Sequence, residues 1–92
     1  MPIWKPAAIQ DRKRIVAYIA QDNLSAAVAL GDLVMQKAEW LDANQKAGRA
    51  GRMKGTREWV VHPNYVLVYR LIGKLEQVEI LRLLHAAQQW PA

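Results

Sequence analysis

The 92-residue chain contains no cysteine, so neither disulfides nor thiolate chemistry can contribute. That absence suits a reducing cytoplasm. Its only serine, Ser25, lies two residues after an asparagine at the head of an apolar stretch and reads as a helix cap rather than a nucleophile. No run approaches the ~18 apolar residues that a membrane span requires. The opening residues MPIWKPAAIQDRKR lack the apolar core and small-residue cleavage site of a secretory signal. A cytoplasmic chain with no membrane partner is expected. Acidic residues are missing between Asp42 and Glu58.

That last gap matters most. Lys46, Arg49, Arg52, Lys54 and Arg57 supply five positive charges within twelve residues, and elsewhere acids and bases cancel, so the whole net charge of +5 lies in this segment. A field focused in this way favours an anionic partner, either nucleic acid or an acidic protein segment. A solvated loop with no partner is the plainer reading of the same charges.

With half of its residues apolar, the chain is rich enough to build one modest core, and a single domain over 1–92 is expected. Ile3 to Lys5 reads as a short edge strand ended by Pro6, which also suits the first turn of a helix over Ala7–Ala20. Ile9, Ile15, Val16 and Ile19 form the inner side of that helix, while Gln10, Asp11, Lys13 and Arg14 cover the other. Asn23 or Ser25 caps a second helix with the stripe Leu30, Leu33, Val34, Ala38 and Leu41. Glycines 48, 51 and 55 then interrupt any pattern. Strand-like runs follow at Arg57–His62, Tyr65–Ile72 and Gln77–Leu84, with turns at Pro63-Asn64 and Gly73-Lys74. The fold class is α+β, in the order β-α-α-β-β-β: a helical hairpin on one face of a mostly antiparallel four-stranded sheet.

The middle strand carries a further signal. Tyr65, Leu67, Tyr69 and Leu71 lie on one face, and Val66, Val68, Arg70 and Ile72 on the other. Two helices cover only one face, whereas a sheet with a solvated second face alternates apolar with polar. The C-terminal tail, a partner chain, or both must cover the other side. Trp90 reads as the anchor that folds the tail back. Trp4, Trp40 and Trp59 read as core or core-edge residues.

Metal-free cleavage of RNA needs a base, a cation for the phosphate and an acid. His62 and His85, with Arg57 and Arg82, offer those residue types. Their spacing is not diagnostic, and histidines at strand ends are more often structural. Two histidines without cysteine or a carboxylate pair make a poor zinc signature, so no metal is expected. GRAGRMKGTR lacks the phosphate-loop pattern, and no cofactor is expected.

The run GRAGRMKGTREWVVHPNYVLVYR, followed by VEILRLLHAAQQWP, resembles the RelE/ParE superfamily of toxins from bacterial type II toxin–antitoxin modules. The resemblance extends over the two helices and the first strand, essentially the whole chain. It implies a small toxin made with a cognate antitoxin, which would cover Val66, Val68 and Arg70. The superfamily has two activities on one fold. ParE-like members inhibit DNA gyrase by protein contact, and RelE-like members cut messenger RNA on the ribosome. Ribonuclease members carry a catalytic arginine after the first aromatic of the middle strand; here Tyr65-Val66-Leu67-Val68-Tyr69 puts valine there. The ending Gln88-Gln89-Trp90-Pro91 also departs from the basic or tyrosine-bearing tail of those enzymes. The resemblance therefore implies a non-enzymatic gyrase inhibitor, with Lys46, Arg49, Arg52, Lys54, Arg57, Gln88 and Trp90 serving target recognition. The alternative is a ribosome-dependent endoribonuclease using Arg57, His62, Arg82 and His85.

Overall fold

The structure, a computed structural model, describes residues 1–91. The short strand β1 (Ile3–Trp4) leads into α1 (Pro6–Ala20), whose first turn holds Pro6, where its missing N–H goes unneeded. In α2 (Leu24–Ala43) the cap is Asn23, whose side-chain oxygen accepts the Ala26 N–H at 3.0 Å; Ser25 lies inside the helix. The remaining strands are β2 (Arg49–Ala50), β3 (Arg57–His62), β4 (Tyr65–Ile72) and β5 (Gln77–His85). They form one sheet ordered β1-β5-β4-β3-β2, with β1 parallel to β5 and every other pairing antiparallel. No helix among the described residues is long and apolar enough to cross a membrane.

The sheet has five strands rather than the expected four, because β2 inserts into the glycine-broken loop. Its two residues pair Arg49 with Glu58 and Ala50 with Arg57. A two-residue strand with both side chains exposed has no apolar alternation to betray it. Gly48, just before it, is required by close approach. A Cβ there would lie 2.7 Å from the Tyr69 hydroxyl oxygen and 2.9 Å from the Glu58 carbonyl oxygen.

The hairpin buries Ala8, Leu30, Val34, Ala38 and Leu41 against Val61, Leu67, Tyr69, Val78, Ile80 and Leu83 of the sheet. A bulge in β5 arranges this face: Tyr69 pairs with Ile80 but Val68 with Arg82, leaving Leu81 as the extra residue. Strict alternation from Val78 and Ile80 would send Leu83 outward. The bulge instead turns Leu83 into the helix-side core.

Asp11 corrects the sequence reading of α1. It is not on the solvated side but buried, at 2% exposure, and it accepts Arg82 Nε at 2.6 Å, Arg82 Nη2 at 3.0 Å and the Leu83 N–H at 3.0 Å. A buried carboxylate needs such partners to offset its lost hydration. Helical periodicity counts charge as outward and does not register a clamp of this kind.

The second face of the sheet is covered too. Val66, Val68 and Leu84 are buried at 3%, 0% and 0% exposure, although the helices lie on the opposite side. After β5 the chain turns, and Ala86 lines a cleft with Val66, Arg52 and Glu58. The Ala86 N–H donates to the Asn64 carbonyl at 2.7 Å, the Gln88 N–H to the His85 carbonyl at 2.9 Å, and Arg52 Nη1 to the Gln88 carbonyl at 3.0 Å.

Candidate functional site

The basic loop is a braced structure rather than a free cationic fringe. Its centre is Glu58, on the second face of β3 and only 3% exposed. One carboxylate oxygen accepts both the Arg52 main-chain N–H at 2.9 Å and Arg52 Nε at 3.0 Å, and the other lies 3.4 Å from Arg49 Nη2. Burial pushes this carboxyl up, but the Arg52 N–H, the Arg52 guanidinium and Arg49 together hold it below the usual carboxylate range. Arg52 then reaches Gln88, so a single arginine ties the loop, β3 and the tail together.

Arg57 is held differently. Its Nη1 donates to the Gly48 carbonyl at 2.8 Å and the Lys46 carbonyl at 3.4 Å, and among the described residues it pairs with no carboxylate. Beneath it the Tyr69 hydroxyl donates to the Gln45 carbonyl at 2.6 Å and accepts the Gly48 N–H at 2.9 Å. Burial raises the Tyr69 phenol above its ordinary value, against the opposing influence of the Gly48 N–H and the Arg57 charge. Of the five loop cations, Arg49 and Arg52 face a carboxylate while Lys46, Lys54 and Arg57 do not, among the described residues.

The four groups that could cut RNA do not all come together. Arg57 opens β3 and His62 closes it, at opposite ends of a six-residue strand. Arg82 is clamped to Asp11, whose hydrogen bond raises the guanidinium pKa further above its ordinary value. His62 and His85 do approach one another, flanking Tyr65. The ring centroids are 5.6 Å apart for His62 and Tyr65, and 5.5 Å for Tyr65 and His85. In each histidine Nδ1 accepts a main-chain N–H at 3.1 Å, from Asn64 for His62 and from Ala87 for His85. A neutral imidazole that accepts at Nδ1 carries its proton on Nε2. No group of three or more histidine, cysteine, aspartate or glutamate side chains among the described residues could hold a metal.

Of the residues expected to meet an antitoxin, Arg70 is exposed and donates from Nε to Glu79 at 2.6 Å. Val66 and Val68 lie buried on the face of the sheet opposite the helices. Trp90 is half-buried and Gln88 exposed. Trp40, expected in or near the core, is 45% exposed and stacks on Trp59 with ring centroids 5.1 Å apart and planes inclined by 12°.

Hydrophobic periodicity singles out neither Glu58 nor Asp11. For Glu58 a signal exists: it is the first acid after Asp42 and directly follows the arginine cluster. A carboxylate so placed either cancels the cluster or organises it, and here it organises it.

Comparison with known proteins supplies the remaining observations. Residues 3–90 match the family described as the ParE toxin of the type II toxin–antitoxin system, parDE. A Sinorhizobium fredii (strain NBRC 101917 / NGR234) protein described as "Putative toxin Y4kP" is 36% identical over 89 residues, covering 96% of this chain and 90% of that protein. A solved structure titled "Chromosomal ParDE TA system from P. aeruginosa" superposes with a TM-score of 0.80 at 22% identity, over 92% of this chain and 95% of its own. At that identity the likeness concerns the fold alone.

Proposed function

For a chain that belongs to the ParE toxin family of type II toxin–antitoxin systems, we propose that it works by protein contact in the cytoplasm. DNA gyrase is its target, and a cognate antitoxin neutralises it. The observation that carries this reading is that the two histidines flanking Tyr65 have neither candidate arginine free beside them. Arg82 is tied to a buried aspartate, Arg57 to two carbonyls at the far end of β3 from His62, and each histidine to a main-chain N–H. A cutting site needs its base, cation and acid around one phosphate. A recognition surface needs a rigid shape with exposed charge, which the Glu58-braced loop and its strapped tail provide.

In this reading Lys46, Arg49, Arg52, Lys54 and Arg57, with Gln88 and Trp90 of the tail, form the target-facing surface. Antitoxin approaches Arg70 and the sheet face that bears Val66 and Val68. The test is to incubate the purified chain separately with gyrase and supercoiled plasmid, and with translating ribosomes. Trapped, linearised plasmid and intact message are expected. Message cut at ribosome-bound codons, with gyrase unaffected, would replace this reading with the endoribonuclease one. Adding the antitoxin is expected to restore gyrase activity.

A further inference from the structure

Two stripes run along α2. Leu30, Val34, Ala38 and Leu41 face the core, whereas Leu33, Gln36, Lys37 and Trp40, at the spacing of one helix face, form a neighbouring stripe. With Trp59 of β3, that second stripe lines a cleft of about 310 Å³. Its aromatic wall is the Trp40–Trp59 stack, and Trp40 stays exposed although so large an apolar ring gains by burial. Two groups at the cleft have no answer within the chain. The Trp59 indole N–H is buried without an acceptor, a cost that native packing normally avoids. Lys37, the only charged residue of the lining, is half-buried and pairs with no carboxylate among the described residues. A partly desolvated ammonium gains more from an incoming anion than a fully hydrated one does.

We propose that this cleft docks a partner-protein segment in which an acidic residue directly follows an aromatic one. The aromatic ring would lie against Leu33 and the Trp40–Trp59 stack, and the carboxylate would pair with Lys37. Aromatic residues are common anchors of protein interfaces, while matched charges fix the register of the incoming segment. A nucleic-acid strand fits less well. Along α2, Asp32, Glu39 and Asp42 stand against the single Lys37, so a run of phosphates would meet acids before and after it. A second copy of the chain would bring a further net charge of +5 rather than an anion. Which partner supplies the segment rests on the proposed function; the cleft itself does not, and it can be tested with no partner present.

The test titrates the full-length, nitrogen-15-labelled chain with the capped dipeptide N-acetyl-Phe-Glu-amide, in parallel with its Phe-Gln and Ala-Glu counterparts and with free phenylacetate. Saturable shifts of the Trp40 and Trp59 indole N–H signals are expected with the Phe-Glu dipeptide, at a dissociation constant about tenfold lower than for either counterpart. Lys37 has no described ion pair to lose, so Lys37→Gln should fold normally and bind the Phe-Glu and Phe-Gln dipeptides equally. Absence of a saturable shift, an equal response to Phe-Glu and either counterpart, or a Lys37→Gln chain that still prefers Phe-Glu would overturn the proposal. Phenylacetate bound more tightly than Phe-Glu would overturn it in favour of a small-molecule site. A free chain that dimerises with these two signals shifted would overturn it in favour of a contact between copies. A negative titration leaves gyrase inhibition standing, and failed gyrase inhibition leaves a positive titration standing.

Discussion

The two faces of the sheet are both buried, but by different physics. On the helix side, aliphatic side chains from α1, α2 and the sheet interlock, with the Asp11–Arg82 pair as an ionic clamp. On the tail side, three apolar residues lie beside a strap held by main-chain hydrogen bonds and by Arg52, itself seated on Glu58. The first arrangement is non-directional and spread over many residues, so it is cooperative. The second hangs on a few directional contacts, so it can open locally while the rest stays folded. The difference makes the helix side the durable part of the molecule and the tail side the part that opens first.

The durable side is the more costly to excavate. Leu67→Ala, at a fully buried position, should lower global stability by about 2–5 kcal/mol. Denaturant unfolding would show a shifted midpoint, with both faces lost in one transition. On the other side, Glu58→Ala strips Arg49, Arg52 and one main-chain N–H of their acceptor. A smaller loss of about 1–3 kcal/mol is expected. Hydrogen exchange should quicken over residues 49–58 and 86–88, with the helix-side amides unchanged; uniform acceleration would mean that the two faces do not act separately.

Acid should separate the faces without mutation. The Glu58 carboxyl is held below its ordinary value in the folded chain. Its stabilisation is therefore complete above the unfolded value of about 4.3 and is lost as pH falls through the lower folded value. The Arg52 and Gln88 amides should lose protection in that acid range while α2 stays intact by circular dichroism. The smallest effect belongs to Gly31, where an added Cβ would meet only Val16, at an ordinary 3.7 Å. Gly31→Ala should raise stability by roughly 0.5–1 kcal/mol, read as a higher melting temperature with the loop and tail unaffected.

Much of this architecture is legible in the residues. Proline at the head of α1, a capping asparagine before α2 and the Pro63-Asn64 turn mark boundaries that recur in the fold, because each reflects a local backbone requirement. The apolar second face of β4 likewise announces that something must cover it. What stays illegible depends on contacts distant in sequence. Asp11 is an acid on an amphipathic helix until Arg82 arrives from seventy-one residues away. The five loop cations look equivalent until Glu58 claims two of them and leaves Arg57 facing carbonyls. Composition locates the charge correctly; only the folded chain separates the bracing arginines from those free to bind.

Contact without catalysis is tested most directly by the toxicity of a chain carrying both His62→Asn and His85→Asn, expressed in cells lacking the antitoxin. Asparagine keeps an acceptor for the Asn64 and Ala87 N–H groups but cannot serve as a base or an acid near neutral pH. Growth arrest equal to that of the unmodified chain is the predicted result. A folded, soluble double variant that has lost its toxicity would contradict it.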